Sequence, residues 1–463
     1  MNIVYKTIET PKGYYVYDRN RNAIIAINKQ EYEELESIAK KGIAPEGSSV
    51  IDKYQREGYL LENRLKKIHH PYSNTLGHHL SHRIEQMTLQ VTQRCNLRCE
   101  YCIYSGDYSN RVHSNLDMDI TVALKAIDLY INSSEEMDTL TIAFYGGEPL
   151  LRFDLIKECV AYVKDKVTGK KINFVITTNG TLLSHEISEY LFKNKFNLTI
   201  SLDGSKNEHD RYRVFENGKG SFDVIMKNLA KMKNNFPGLY QNLFFNTVVN
   251  AMHDYKNIKD FFEHDDLVAD ANVLLSLVEP KENKEVEYSD DFKMIRTFDY
   301  LKLLLHMIGK LDQNNVSKLV RNSKTSTYRR YGQITKKIPI SEVGHHGGPC
   351  IPGARRMFIN VHGNIYPCER VSETSEVMRL GHIDTGFDMD KVDNILNVGK
   401  ITEDLCLQCW ALLHCDICAK KADGKDHLSK EIKCLSCPES ISTAYVNLKE
   451  LCVLKELGCT FEM

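Results

Sequence analysis

Three cysteines stand close together directly after an alternating apolar stretch. Cys95, Cys99 and Cys102 are spaced C-x3-C-x2-C in TQRCNLRCEYC, just beyond the segment MTLQVTQ. Four thiolates would occupy every iron of a 4Fe-4S cluster, as in electron carriers. Three thiolates leave one iron open, and an open metal position is typical of catalytic sites, whereas structural sites are closed. The spacing therefore indicates a catalytic cluster; a zinc loop with a fourth ligand from elsewhere, or three unrelated thiols, is the alternative.

A second, larger group of cysteines lies toward the end of the chain. It contains eight of the fourteen cysteines, enough to fill two four-thiolate clusters. The competing interpretation is zinc, because four of the eight match a zinc-ribbon spacing, C-x2-C-x15-C-x2-C, from Cys415 to Cys437. Of the three cysteines outside both groups, Cys159 reads as a buried helix position. The eight are Cys350, Cys368, Cys406, Cys409, Cys415, Cys418, Cys434 and Cys437.

Length, charge and hydropathy exclude several classes of protein. The chain has 463 residues, 42% of them hydrophobic, which predicts about three globular domains. The 60 Lys and Arg nearly cancel the 62 Asp and Glu, so no nucleic-acid partner is expected. No signal segment and no run of 18 apolar residues is found, so we expect a cytoplasmic protein without a membrane partner. Disulfides are rare in the cytosol, and metal binding is the better explanation of the cysteines.

Residues 85–311 show six cycles of strand followed by helix. Strands alternating with helices predict a parallel sheet with right-handed crossovers, and six cycles predict an open, partial (β/α)6 barrel. Chemistry in such α/β sheets lies at the carboxyl ends of the strands. The three-cysteine segment follows the first strand, and YGGEP follows the second. The predicted strands are 87–93, 139–147, 171–180, 197–204, 242–250 and 271–279; the predicted helices are 120–132, 152–167, 185–194, 221–236, 255–265 and 290–311.

The remaining segments divide the rest of the chain. Residues 1–68 predict a small α+β unit with three short strands and two helices. Residues 69–84 contain five histidines and are predicted to be a solvated linker, with a metal-binding histidine tract as the less favoured alternative. Residues 312–349 are a bridging region, 350–440 the cysteine-rich domain, and 441–463 a C-terminal helical segment.

The loop CNLRCEYC, with an aromatic residue before its third cysteine, resembles the radical S-adenosylmethionine (radical SAM) enzymes. The resemblance implies a partial (β/α)6 barrel in which SAM chelates the open iron through its amino and carboxylate groups. One electron then cleaves SAM to methionine and a 5′-deoxyadenosyl radical, which abstracts hydrogen from the substrate. Cys95, Cys99 and Cys102 are thereby assigned to the SAM-cleaving cluster.

The same resemblance implies residues that contact SAM. Gly146, Gly147 and Glu148 match the turn that binds the SAM amino group, with glycine allowing close backbone approach. Tyr101 matches the aromatic residue near the adenine, with a packed core tyrosine as the alternative. Arg213 matches an arginine that pairs with the SAM carboxylate, although Arg211 lies two residues away. The polar positions near the ribose and methionine moieties are Asn179, Ser201 and Asp203.

The eight C-terminal cysteines resemble the SPASM extension of radical SAM peptide-modifying enzymes, which holds two auxiliary 4Fe-4S clusters. Cys415 and Cys418 are separated by two residues where that family usually has three, which leaves the division of ligands open. We expect Cys350, Cys368 and Cys418 in the first cluster, with Cys437 or an open site as its fourth corner. The second cluster would then take Cys406, Cys409, Cys415 and Cys434. Together with SAM, three 4Fe-4S clusters are expected.

Over nearly its whole length the chain resembles SPASM radical SAM peptide maturases, especially ranthipeptide and sactipeptide synthases, which join a cysteine sulfur to a carbon of another residue. Residues 1–68 resemble a winged-helix-like recognition element that captures the leader of a precursor peptide as an added strand. A reducing partner such as flavodoxin or ferredoxin is implied. Carbon–carbon crosslinking, epimerisation and anaerobic sulfatase maturation are the alternatives, and a non-catalytic iron–sulfur or zinc module is the alternative of another class.

Overall fold

The N-terminal unit is a three-stranded antiparallel sheet covered by two helices. The computed structural model describes residues 2–41, 48–105, 108, 111–279, 286–336 and 338–461. The strands are β1 (Tyr5–Glu9), β2 (Tyr14–Asp18) and β3 (Ala23–Ile27), in the order β1-β2-β3. Helices α1 (Lys29–Lys41) and α2 (Ser49–Arg56) follow, and the Ser48 side chain caps α2 by accepting from the Ile51 amide. Apolar side chains of β2, α1 and α2 form one small core, so the α+β content predicted here is present.

The histidine-containing segment 69–84 is not a solvated linker, and that prediction is wrong. After the two-residue strand β4 (Lys67–Ile68), the chain forms helix α3 (Leu76–His82). Leu76 and Leu80 lie on one face of α3, and Ile84 follows just after the helix; all three are buried in the main core. Their apolar stripe anchors the segment to the barrel, and the histidines between them occupy the other face.

Residues 85–311 form the predicted strand–helix series, with each predicted strand and helix present. Six strands pair in parallel in the order β10-β9-β8-β7-β6-β5. The strands are β5 (Gln86–Thr92), β6 (Thr139–Gly146), β7 (Lys171–Thr178), β8 (Asn197–Ser201), β9 (Phe244–Val249) and β10 (Asn272–Leu277). The helices are α4 (Ile120–Asn132), α5 (Phe153–Lys166), α6 (His185–Lys193), α7 (Lys206–Asp210), α8 (Phe222–Asn235), α9 (Pro237–Tyr240), α10 (Tyr255–His264) and α11 (Asp290–Met307).

The sheet continues beyond the barrel strands into the cysteine-rich region. Strand β12 pairs in parallel with β5, and β13, β14 and β15 follow as antiparallel neighbours, giving a ten-stranded mixed sheet. This pairing covers the β5 edge, which would otherwise expose unpaired backbone groups. The elements after α11 are α12 (Asn322–Thr335), β11 (Val343–Gly344), β12 (Met357–Ile359), β13 (Asn364–Tyr366), β14 (Gly381–His382), β15 (Gly386–Phe387), α13 (Met389–Leu396), α14 (Glu403–Gln408), α15 (Lys430–Leu435) and α16 (Cys437–Glu456).

The C-terminal helix α16 packs between the N-terminal unit and the barrel's later helices. Its Leu448 and Leu451 contact Ile8 and Tyr17 of the N-terminal sheet, whereas Leu454 packs with Leu303 of α11. Cys159 is fully buried in the main core, as its helix position predicted. Within the part of the chain that the structure describes, no helix is long and apolar enough to cross a membrane.

Candidate active site and cysteine groups

The three-cysteine loop begins where β5 ends, at the carboxyl edge of the parallel strands. Backbone amides point at two of its sulfurs: the Leu97 amide lies 3.4 Å from Cys95 Sγ, and the Tyr104 amide 3.4 Å from Cys102 Sγ. Burial raises the pKa of Cys95 to about 11 and that of Cys99 to about 12. The free thiols are therefore protonated at neutral pH, and binding a metal as thiolates would release protons.

The glycine turn after β6 packs directly against the cysteine loop. A Cβ on Gly146 would lie 2.1 Å from the Thr92 carbonyl oxygen, and one on Gly147 would lie 2.2 Å from that of Arg94. Gly146 also has a φ of +145°, which other residues rarely adopt. The backbone that approaches the two glycines is therefore the protein's own cysteine loop. The sequence had suggested that a ligand makes this close approach.

Glu148 joins the ends of β6 and β7. Its fully buried carboxylate accepts from the Leu150 amide at 3.0 Å, the Thr178 hydroxyl at 2.7 Å and the Asn179 amide at 2.7 Å. The Asn179 side chain in turn donates to Asn96 Oδ1 at 2.8 Å and lies 3.9 Å from Cys95 Sγ. Glu148 therefore positions Asn179 beside the cysteine loop.

A buried charge pair lies on the other side of the three cysteines. Asp203 accepts from Arg213 Nε at 2.8 Å, from the Tyr101 hydroxyl, and from the Val248 amide at 3.0 Å. The Arg213 guanidinium lies over the Tyr101 ring at 5.3 Å and reaches to 3.9 Å from Cys99 Sγ. Burial alone would raise the pKa of Asp203, but the charge of Arg213 holds it below its usual value.

The structure distinguishes the two candidate arginines. Arg211 is exposed, whereas Arg213 is buried among the predicted site residues. Ser201, the last residue of β8, is half-buried at the same edge of the sheet.

Two further residues support Arg213 and were not singled out in the sequence. His209 is fully buried, accepts from the Asp203 amide through Nδ1 at 3.2 Å, and contacts Ser221 Oγ through Nε2 at 2.9 Å. Ser221 donates to the Arg213 carbonyl oxygen at 2.8 Å. Burial lowers the pKa of His209 to about 3, so the ring is neutral and its Nε2–H donates. The signal was present, because both residues stand in the segment HDRYRVFENGKGSF that marked Arg213.

The eight C-terminal cysteines separate into two groups. Burial raises the pKa of Cys350 to about 11, and the nearby Cys368 and Cys418 add to the effect. Cys350 also lines a cavity of about 650 Å³ together with Tyr72, His79 and other residues. This group divides the zinc-ribbon set, because Cys418 lies with Cys350 and Cys368.

The second group lines a cavity of about 500 Å³ and differs from the expected division. Cys437, at the first turn of α16, lines this cavity, whereas Cys434, which was expected in this group, is not among the lining residues. Burial raises the pKa of Cys409 to about 11, with Cys406, Cys415 and Cys437 adding to the effect. Among the described residues, no three His, Cys, Asp or Glu side chains converge on one metal ion. The cavity-lining cysteines are Cys406, Cys409, Cys415 and Cys437.

Polar residues that the sequence analysis missed connect the barrel to the first of these groups. Arg111 and Glu373 form a buried ion pair, and Gln90 of β5 also donates to Glu373 at 2.6 Å. Glu369, directly after Cys368, pairs with Arg356 through one oxygen, while its other buried oxygen has no partner among the described residues. Only the position of Glu369 beside a grouped cysteine could have drawn attention to it, and nothing in the sequence links Arg111 to Glu373.

A parallel α/β barrel with three cysteines at the carboxyl end of its first strand is the fold and site of a radical SAM enzyme. The donor set fits an iron–sulfur cluster, since it consists of thiols with backbone amides directed at the sulfurs. Residues 89–267 match the model of the radical SAM superfamily, and the chain belongs to that superfamily. Membership implies a 4Fe-4S cluster and SAM.

The chain is similar to several curated proteins. It is 31% identical over 285 residues to an uncharacterised protein of Methanocaldococcus jannaschii, covering 62% of this chain and 85% of that protein. It is 36% identical over 182 residues to a cysteine-type anaerobic sulfatase-maturating enzyme of Clostridium novyi, covering 38% of this chain and 47% of the relative. A third similarity, 26% over 316 residues, is to the radical SAM cyclopropyl synthase TigE of Paramaledivibacter caminithermalis, covering 65% of this chain and 62% of TigE. The matches to the two named enzymes thus span about half to three-fifths of their length.

Solved structures of anSMEcpe share the fold. The form with bound AdoMet superposes with a TM-score of 0.58 at 19% identity, covering 81% of this chain and 96% of that chain. A form with bound AdoMet and the Kp18Cys peptide gives the same TM-score, covering 80% of this chain. At this level of identity the likeness establishes the architecture alone.

Proposed function

We propose that this chain is a SPASM-type radical SAM enzyme that modifies a ribosomally made precursor peptide by joining a cysteine sulfur to a carbon of another residue. The observation that carries the proposal is the grouping of eleven cysteines. Three lie on the loop after β5, three more form the Cys350 group, four line the second cavity, and Cys434 lies beside these four. A set of three thiols at the barrel fits a cluster that binds SAM, and the other two sets fit auxiliary clusters.

When bound, the cluster and SAM supply a 5′-deoxyadenosyl radical. The protein's own residues hold the reactants: Arg213 offers a fixed guanidinium to the SAM carboxylate, and Tyr101 lies beside it for the adenine. Asp203 keeps the guanidinium charged and oriented, and Asn179 offers an amide next to Cys95. We assign Gly146 and Gly147 to holding the cysteine loop in place against β6.

The group of Cys350, Cys368 and Cys418 bears on the choice of reaction. Three thiols leave a cubane one protein ligand short, and a substrate cysteine thiolate is a suitable fourth ligand. Such binding would hold the sulfur deprotonated without a protein base. The cavity beside Cys350 supports this proposal because it leaves space for a further group at that thiol.

The N-terminal unit supports a substrate with a leader. Its three-stranded sheet has β3 as an edge strand, which an extended peptide could join through backbone hydrogen bonds. We therefore infer that residues 1–68 bind the leader, while the core peptide enters the barrel.

Anaerobic sulfatase maturation is the second candidate. The relatives from Clostridium novyi and Bacteroides thetaiotaomicron carry that activity in their names, and the solved neighbours include one with a bound peptide. Both candidates share a polypeptide substrate, and they differ in whether a leader is needed and whether the substrate sulfur ends in a thioether.

The first experiment tests the clusters. Protein purified and reconstituted without oxygen should hold about twelve irons, and after reduction with dithionite it should release 5′-deoxyadenosine from SAM. Replacing Cys95, Cys99 and Cys102 together with Ala should abolish 5′-deoxyadenosine and leave the auxiliary iron in place. Iron-loaded protein that releases no 5′-deoxyadenosine would indicate a non-catalytic module.

The second experiment separates the two reactions. The substrate would be a leader-bearing, cysteine-containing peptide encoded beside the gene, compared with the same peptide lacking its leader and with a sulfatase-derived peptide. A thioether product loses two hydrogens per bond: the 5′-deoxyadenosyl radical would take one as a hydrogen atom, and the thiol would lose the other as a proton, with its electron passing to an auxiliary cluster. The cysteine of that product resists alkylation. Modification of the sulfatase peptide alone would favour the second candidate and reject the first.

A further inference from the structure

Lys433 is a buried lysine at the cavity of the second cysteine group. The residue is 1% exposed, and its Nζ donates to the Val398 carbonyl oxygen at 3.2 Å and to Thr402 Oγ1 at 2.6 Å. Both acceptors are neutral, and among the described residues no carboxylate forms an ion pair with it. A buried ammonium without an opposite charge is strongly unfavourable, so the site is incomplete without one.

The thiols on the same cavity are the groups that can supply this negative charge. Lys433 lines this cavity together with Cys406, Cys409, Cys415 and Cys437, and its carbonyl oxygen lies 3.8 Å from Cys437 Sγ. Thr402 Oγ1, which accepts from Lys433, lies 3.2 Å from Cys406 Sγ. Because its oxygen accepts from the ammonium, the hydroxyl hydrogen is directed to the Gly399 carbonyl oxygen at 3.3 Å or to a Cys406 thiolate.

Among the described residues that line the cavity, Asp404 is the one carboxylate, and the nearby histidines add no positive charge. Burial lowers the pKa of His345 to about 4 and that of His346 to about 2, so both rings are neutral. Asp404 lies on the rim of the cavity, but it is paired with Lys430 at 3.0 Å, and both side chains are exposed.

We propose that Lys433 is the counter-charge of the second auxiliary cluster. Its charge acts on the cavity directly and, through the Thr402 hydroxyl, on Cys406. It thereby offsets the negative charge of the four thiolates, which favours assembly of the cluster and raises the reduction potential of the cluster. This inference rests on the proposed function, because it requires an iron–sulfur cluster at this group. Lys433 is thus a positioning and charge-setting residue, with no contact to substrate.

The test compares Lys433→Met with the parent protein, both carrying Cys95/Cys99/Cys102→Ala so that only auxiliary clusters give signals. Reconstituted protein is titrated with dithionite, which supplies the single electron of each couple, and followed by electron paramagnetic resonance. In Lys433→Met, one of the two auxiliary clusters should become harder to reduce. Its ratio of reduced to oxidised cluster should fall about tenfold at a fixed potential, which corresponds to a midpoint potential lower by about 59 mV for one electron.

Three variants serve as comparisons. Lys433→Arg keeps the charge and should remain within about twofold of the parent ratio at that potential. Thr402→Val removes the bridging hydroxyl and should shift the same signal in the same direction by a smaller amount. Lys391→Met removes a lysine of α13 that is paired with Glu376 at 2.7 Å and lies outside the cavity lining, and it should shift neither signal.

Each outcome decides the inference. An unchanged potential in Lys433→Met would overturn it. Loss of the second auxiliary cluster in Lys433→Met but not in Lys433→Arg would support it, because charge alone separates those variants. Loss in both would overturn it in favour of side-chain shape. Zinc or no metal at this group in the parent would count against the proposed cluster itself, and this inference would fall with it.

Discussion

Arg213 is the side chain on which the candidate active site converges. It contacts Asp203, Tyr101 and Cys99 at once, and His209 and Ser221 hold its backbone from behind. A guanidinium can make a directed pair of hydrogen bonds to a carboxylate, whereas an ammonium is a point charge. The buried ion pair with Asp203 keeps the guanidinium group oriented toward the cysteine loop. A fixed orientation of this kind is needed to bind a carboxylate beside a cluster.

Replacing Arg213 with Lys should weaken SAM binding while retaining the charge that Asp203 needs. Hydrogen bonds to charged groups contribute about 1.5–3 kcal/mol each, so we expect the dissociation constant to rise roughly ten- to hundredfold. Isothermal titration of reconstituted protein with SAM, without reductant, measures this directly. Arg211→Lys is the matched control, since Arg211 is exposed two residues away and should bind SAM as the parent does. Equal affinity of both variants would remove Arg213 from the SAM site.

The turn after β6 and the loop after β5 form one structural unit. Gly146 and Gly147 lie against the carbonyl oxygens of Thr92 and Arg94, and the Gly147 amide donates to the Thr92 oxygen at 3.0 Å. The carboxyl end of the second strand therefore sets the path of the loop that follows the first. This explains why a glycine pair one strand away belongs to the same site as the three cysteines.

Gly147→Ala should displace the cysteine loop, because the added Cβ would lie 2.2 Å from a backbone oxygen that cannot rotate away. We expect loss of iron from the SAM-cleaving site and of 5′-deoxyadenosine, with the auxiliary iron retained. Iron content and SAM cleavage of the reconstituted variant measure both effects. Gly332→Ala, on α12 with no atom within 4 Å of the added Cβ, should behave as the parent. Normal SAM cleavage by Gly147→Ala would contradict the role given to the turn.

The whole molecule is held together across the boundary between barrel and cysteine-rich region. Strand β12 extends the barrel sheet, and the buried Arg111–Glu373 pair ties the segment after the three cysteines to the segment after Cys368. Arg111 also donates to the carbonyl oxygens of Glu369 and Val371. The three-cysteine loop and the Cys350 group are thereby connected through packed, charged and hydrogen-bonded atoms.

Acid should destabilise the whole chain through its buried histidines. Burial lowers the pKa of His70 to about 4 and of His209 to about 3, from an ordinary value of 6.5. Between pH 6.5 and 4 the unfolded chain binds these protons and the folded chain does not, so stability is lost as the pH falls. Each ring contributes about 1.4 kcal/mol per pH unit to that loss.

Urea denaturation of the apo-protein between pH 7.5 and 4.5 measures the slope. His209→Gln should flatten the loss of unfolding free energy by about 1.4 kcal/mol per pH unit, relative to the parent. A parent-like slope in His209→Gln would show that this ring does not carry the effect.

Local patterns in the sequence determined the elements and marked the candidate metal-binding residues. Alternating apolar strands and amphipathic helices specified all six barrel cycles, because burial of one strand face or helix stripe is a local property of residue type and spacing. Cysteine spacing likewise marked the loop after β5 and the C-terminal group. The same local rule misled at residues 69–84, where histidines obscured the stripe of Leu76, Leu80 and Ile84.

Tertiary structure alone decided which distant residues meet. The placement of Cys437 instead of Cys434 on the second cavity depends on where α16 begins against α14 and α15. The pairing of β12 with β5, the Arg111–Glu373 ion pair and the burial of Lys433 all join segments far apart in sequence. Contacts of this kind follow from the packing of whole elements, and no spacing along the chain encodes them.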